Sequence, residues 1–238
     1  MTQASSQLSL NGSRLVRFLT ELAVTDVEIS HSHFAGRLGQ LIDLADSITL
    51  SSAHSKLPTM AFEPATVATA AVTDKFMSIR TTIIRSVISS FDPAAGASRI
   101  KLPVPRAESP SDTAAAYEPY LRFYRAHQRE FDLRIQRLQL QVREAATGLS
   151  PELAQLAALD SVLNDTLTLH TRKFFTAIPR LLGKHFEQLA GEYPPMELHE
   201  RFCDDMQGLL LAEIETRLLP VLGLIEALNT HTDKNTYE

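Results

Sequence analysis

The stretch YEPYLRFYRAHQREFDLRIQRLQLQVREA, residues 117–145, decides the fold. Within it Tyr117, Leu121, Tyr124, Gln128, Phe131, Ile135, Leu138, Val142 and Ala145 follow one another at alternating steps of four and three. Only an α-helix brings residues at that spacing onto one stripe, and a mean step of about 3.5 suits packing against another long helix. The stretch announces an interaction architecture rather than a reaction.

Two more long helices are expected downstream. The Tyr117 helix should run to about Thr147, with Pro119 in its first turn and Gly148 as terminator. Ser150, Pro151 and Glu152 then supply a cap, a first-turn proline and a first-turn acid. From there Leu156, Leu159, Leu163, Leu167, Phe174, Ile178, Leu181 and Leu189 read as the core stripe, with a kink expected at Pro179. Pro194 and Pro195 close the next connection. The last helix carries Phe202, Met206, Leu209, Leu210, Ile214, Leu218, Val221, Ile225 and Leu228, bent or broken at Pro220. Short loops between long helices imply antiparallel neighbours.

Upstream, Ser13 can cap a helix that turns Leu15, Phe18, Leu19 and Leu22 inward. A second helix opens near Ser32, with Phe34, Leu38, Leu41, Ala45 and Ile48 on one side. A third begins around Pro64 and shows the stripe Val72, Phe76, Ile79, Ile83, Val87 and Phe91. Between Asp92 and Thr113 stand Pro93, Pro103, Pro105 and Pro110, and no helix crosses them. That segment reads as an extended linker; its sharper reading is a partner-binding strand with Ile100, Leu102 and Val104 as apolar teeth. Strand signals are scarce elsewhere. The expected architecture is all-α: an N-terminal helical lobe (1–92), a Pro-rich linker (93–113) and an antiparallel bundle of long helices (114–238).

Composition narrows the function. The 238 residues suffice for a real core, and 44% of them are apolar. Net charge is −5. Residues 1–116 hold ten basic and ten acidic side chains, and residues 117–238 hold thirteen and eighteen, which argues against general nucleic-acid binding. Cys203 is the single cysteine, so no disulfide can form within the chain, and a reducing compartment fits. Met1 to Arg14 lacks the apolar core of a signal peptide, and no run of about eighteen apolar residues suggests direct membrane insertion. A cytoplasmic location is expected.

Arg122, Arg129 and Arg143 recur on a seven-residue lattice, with Arg125 one turn away, as a basic ridge for an acidic partner. Glu118 and Glu130 each precede an arginine by four residues, so part of this charge has an intramolecular use. Metal ligands do not assemble in sequence. Glu28 with His31, His31 with His33, and His199 with Cys203 are pairs where about four ligands are needed. His170 and His185 fall near the inward stripe and read as core histidines. The chain has no Gly-x-Ser-x-Gly elbow, phosphate loop or dinucleotide fingerprint. Cys203 sits beside carboxylates that disfavour its thiolate. The acidic flank of Leu218 to Leu228, made by Glu213, Glu215 and Glu226, favours core packing or a dimer seam over membrane contact.

Four phrases carry a resemblance: RLVRFLTEL (14–22), FAGRLGQL (34–41), LAALD (156–160) and LLAEIETRLLPV (210–221). Together they resemble the proteobacterial domain-of-unknown-function family DUF3348. The resemblance implies a cytoplasmic accessory to an inner-membrane complex built on proton-channel motor components. The expected function is therefore a non-enzymatic interaction or assembly protein with protein partners, an inner-membrane channel complex or further copies of the chain, and with no cofactor. The alternative is a helical-bundle binder of a metal or small ligand, or an enzyme, using Glu28, His31, His199 or Cys203.

Overall fold

The computed structural model describes residues 14–22, 43–66, 68–92, 99–104 and 112–236. Ser13, Phe34, Leu38, Leu41, Glu28, His31 and His33 lie outside them. Every regular element described is helical: α1 (Arg14–Glu21), α2 (Leu44–Lys56) with a 3₁₀ turn at Leu57–Thr59, α3 (Thr69–Phe91), α4 (Thr113–Leu149), α5 (Pro151–Glu192) and α6 (Pro195–Thr236).

The decisive stripe lies where the spacing put it. Tyr117, Tyr124, Phe131, Ile135, Leu138, Val142 and Ala145 are buried, and Leu121 and Gln128 are partly so. The helix opens earlier than expected because the Asp112 carboxylate caps it, accepting from the backbone N–H of Ala114 and Ala115. Pro119 therefore lies inside the helix instead of in its first turn. Gly148 does not end it either; the helix runs on to Leu149, and Ser150 stops it in an extended conformation. The same serine caps α5, accepting from Leu153 N–H at 3.2 Å. A single residue thus separates helices of 37 and 42 residues.

Partners along these helices give their directions. Arg143 meets Asp160 near the Ser150 turn, Gln128 meets Phe175 further out, and Tyr120 meets Phe186 at the far end. α5 therefore runs opposite to α4. α6 returns beside both, pairing Phe202 with Tyr120, Glu213 with Tyr124 and Arg217 with Asp132. α3 lies across α4 and α6, with Phe91 edge-on to Phe123 and Thr73 bonded to Asn229. α1 rests on α6 through Arg14 and Glu215. One cluster of buried apolar side chains joins Leu15 and Leu19 of α1, Phe76, Ile83 and Val87 of α3, and the three long helices.

Several expectations need correction. α3 starts at Thr69, five residues after Pro64, and residues 65, 66 and 68 are irregular. Ala45 and Ile48 belong to α2, which lies against α5 yet buries none of its own residues, so both are exposed. On α5 the buried residues include Leu153, Ala154, Ala157, Phe175, Ile178, Leu182 and Phe186, whereas Leu156 and Phe174 are exposed. Leucine occurs on more than one face of this helix, and only the fit against α4 selects which face is inward. At Pro220 α6 continues as one helix. Ile100 and Leu102 pack against the chain's own core, while Val104 is 86% exposed.

Pro179 has a specific consequence. It lacks the N–H that would bond the carbonyl of Phe175. The Gln128 amide supplies that donor at 3.1 Å, and the Tyr117 hydroxyl donates to the carbonyl of Pro179 itself at 2.5 Å. Next to this joint, a Cβ on Gly183 would stand 2.9 Å from Tyr117 Cε1. Alanine normally stabilises a helix over glycine by up to about 1 kcal/mol. Gly183→Ala should reverse that sign and cost roughly 1–3 kcal/mol, because the hydroxyl bond pins the ring. An unchanged or higher chemical-denaturation midpoint for this variant would show that the ring can yield.

Candidate functional site

The middle of α5 differs from its ends. Residues 158–174 include none that is buried, although apolar packing resumes on both sides. The residues of that stretch that border the gap toward α4 include Ser161, Asn164, Leu167, Thr168, His170 and Thr171, of which Asn164 and Thr171 are exposed. Opposite them α4 presents Gln128, Asp132, Gln136 and Gln139. A cleft of about 1150 Å³ opens between the two helices over this stretch, lined by these polar groups and by Ile135, Leu140, Leu167, Phe174 and Phe175, with Thr216, Arg217 and Pro220 of α6 also lining it. Polar groups that keep their hydration do not draw helices together as apolar ones do.

A buried charge network borders this cleft. Glu213 is fully buried. It accepts from the Tyr124 hydroxyl at 2.8 Å, from the Gln128 amide at 2.9 Å and from Arg217 Nε at 2.9 Å. Arg217 also pairs with Asp132 at 2.8 Å, and its guanidinium lies 3.7 Å from the centroid of the Phe175 ring and 5.3 Å from that of Phe131. Burial pushes the Glu213 carboxyl above the usual carboxylate range, with Arg217 and the hydrogen bonds opposing it. Burial, then the charge of Glu213, pushes the Tyr124 hydroxyl well up. Gln128 uses both amide hydrogens, one on Phe175 and one on Glu213, and so ties the three long helices together. At the other side of the cleft Arg143 holds Asp160 at 2.6 Å and donates to the Asp160 carbonyl.

The chain belongs to the DUF3348 family. A family profile described as "Protein of unknown function (DUF3348)" matches residues 1–230. No curated protein and no solved structure matches the chain significantly.

In this DUF3348 protein the proposed ridge divides. Arg122 is exposed and lies 3.6 Å from Glu118, and Arg125 and Arg129 are exposed. Arg143 departs from the ridge, because its side chain turns toward α5 and is partly buried against Asp160. Ile100, Leu102 and Val104 do not form one set of teeth, since the first two face the core.

His127, His185 and His199 each join neighbouring helices. His127 Nε2 lies 2.9 Å from Ser90 Oγ, whose own hydrogen goes to the Val87 carbonyl at 2.7 Å, so the ring donates. Burial lowers His127 to about 4, which keeps it neutral. His185 is buried against Asp205 at 2.8 Å, and His170 is half-buried at the cleft. His199 Nδ1 is hydrogen-bonded to the Tyr120 hydroxyl at 2.7 Å and lies 3.8 Å from Cys203 Sγ. Burial first, then Asp204, pushes the Cys203 thiol up to about 12. Among the described residues no three His, Cys, Asp or Glu side chains are grouped to hold a metal, and no helix is long and apolar enough to cross a membrane.

Glu213 and Arg217 escaped the sequence reading, which placed Glu213 on an acidic flank. A faint signal existed: the two stand four apart inside a strongly apolar run. The polar Gln128 within the heptad stripe is the residue they answer.

Proposed function

We propose that this chain is a non-enzymatic interaction or assembly protein that engages an acidic protein surface through the outer face of α4. What supports the reading is the composition of that face. Arg122, Arg125, Arg129 and Arg137 stand exposed along it, with Leu133 at 58% and Leu140 at 62% exposure between and beyond them. Among the described residues no carboxylate comes within ion-pair distance of Arg125, Arg129 or Arg137. A row of exposed guanidiniums, three of them without an ion pair among the described residues, interleaved with exposed leucines suits a partner carrying carboxylates and an apolar strip. The heptad stripe is spent inside the fold, so the partner meets the opposite side of the same helix. The family resemblance supports an inner-membrane channel complex, met from the cytoplasm, as that partner.

The test is affinity purification of the tagged chain from its native host in mild detergent, alongside R122E/R125E/R129E and the matching lysine variant. An acidic partner should accompany the wild type and the lysine variant, and fall by at least roughly tenfold with the charge reversal. Equal recovery with the charge-reversed chain would defeat this reading.

A further inference from the structure

The cleft between α4 and α5 is built like a receptor for backbone. Its walls mix carboxamides and hydroxyls, Gln136 and Gln139 on one side and Asn164, Thr168 and Thr171 on the other, with a larger share of apolar surface. The Gln136 and Gln139 amides already donate to Asp132 and Asp160, and the Thr168 hydroxyl to the Asn164 carbonyl, so these walls chiefly offer acceptors to a partner's N–H groups. A helical partner satisfies its own backbone and would leave such acceptors unmet. An extended partner brings unpaired N–H and C=O groups that need such walls. Ions are less well suited, because the deep charges are already matched: Arg217 by Glu213 and Asp132, Arg143 by Asp160.

Size and charge define the occupant further. The cleft follows α5 over residues 161–176, a rise of about 22 Å, which spans about six or seven residues of extended chain. Its rim is open, since Gln136, Asn164, Arg172 and Lys173 are exposed. Arg172 and Lys173 meet no carboxylate within ion-pair distance among the described residues. Leu140, Leu167 and Phe174 add apolar surface beside them.

We infer that this cleft binds an extended acidic peptide segment of a partner protein, its backbone held by the carboxamide and hydroxyl walls and its carboxylates by Arg172 and Lys173. The inference rests on the reading of the chain as an interaction protein but uses charges separate from the arginines of α4, the two surfaces meeting at Leu140. A phage-displayed library of random dodecapeptides, panned against the immobilised full chain, tests it. Enriched peptides should carry acidic residues among apolar ones. Their affinity should fall at least about tenfold for R172E/K173E, whose changes are exposed, and for N164L/T168L/T171L, which fills the cleft while the helical circular dichroism is retained. The variant R122E/R125E/R129E should bind them as the wild type does. No enrichment, or peptides that bind the two cleft variants undiminished, overturns the inference. Peptides lost only with the α4 variant also overturn it, and leave the arginine-face reading standing.

Discussion

Arg217→Met is expected to destabilise the fold by roughly 3–5 kcal/mol, although it introduces an apolar side chain of similar length into a mostly apolar environment. The cost comes from what is left behind. Glu213 would remain fully buried without its cation, keeping only the Tyr124 hydroxyl and the Gln128 amide. Asp132 would also lose its partner, at a smaller penalty because its side chain is 43% exposed. Burial already holds the Glu213 carboxyl above its ordinary range, and Arg217 is the largest opposing influence, so its removal shifts Glu213 further up. A carboxyl raised in the folded state favours folding when protonated; that contribution is fully present below the unfolded-state pKa and is lost as pH rises through the folded one. The deficit of Arg217→Met should therefore be largest near neutrality and shrink at about pH 4. Glu213→Gln combined with Arg217→Met should recover part of the loss, since it removes the stranded charge. Urea midpoints of wild type, single and double variants at both pH values provide the check. A deficit independent of pH, with no recovery in the double variant, would mean that Glu213 is not the group left uncompensated.

Phe202→Ala should cost a similar amount, roughly 3–5 kcal/mol, through a different mechanism. Phe202 is fully buried where α4, α5 and α6 meet. Its ring stands edge-on to Phe186 at 4.9 Å, to Tyr120 at 5.2 Å and to Tyr117 at 6.1 Å. Truncation removes both the buried area and three aromatic edges, each worth about 0.5–1.5 kcal/mol beyond area. The neighbours cannot collapse freely into the space, because Tyr117 is tied to the Pro179 carbonyl and Tyr120 to His199. Phe202→Leu should lose markedly less. Equal losses for the two substitutions would show that the cavity term is small and that the site relaxes.

Much of the helical layout was legible in the chain because it rests on local rules. The heptad from Tyr117 to Ala145 needs only a helical repeat, and Ser150-Pro151-Glu152 announces a start by chemistry confined to one turn. Legibility failed where a choice depended on a distant surface. α5 offers apolar residues on several faces, so Leu156 and Phe174 looked as suited to the core as Leu153 and Phe175. Arg143 shared a seven-residue lattice with Arg122 and Arg129, yet Asp160 across the turn claims it. Nothing local distinguishes Glu213 from Glu215 or Glu226, which are not buried.

By itself the sequence determined the helix identity of the long segments, the turn at Ser150, the burial of the Tyr117 stripe and the all-α class, since periodicity and capping act within a few residues. Only the tertiary structure decided which α5 face is inward, that Gln128 replaces the donor Pro179 lacks, and that Glu213, Arg217 and Asp132 converge beside the cleft between α4 and α5. Those outcomes depend on side chains tens of residues apart in sequence, whose meeting is set by helix register and direction rather than by local propensity.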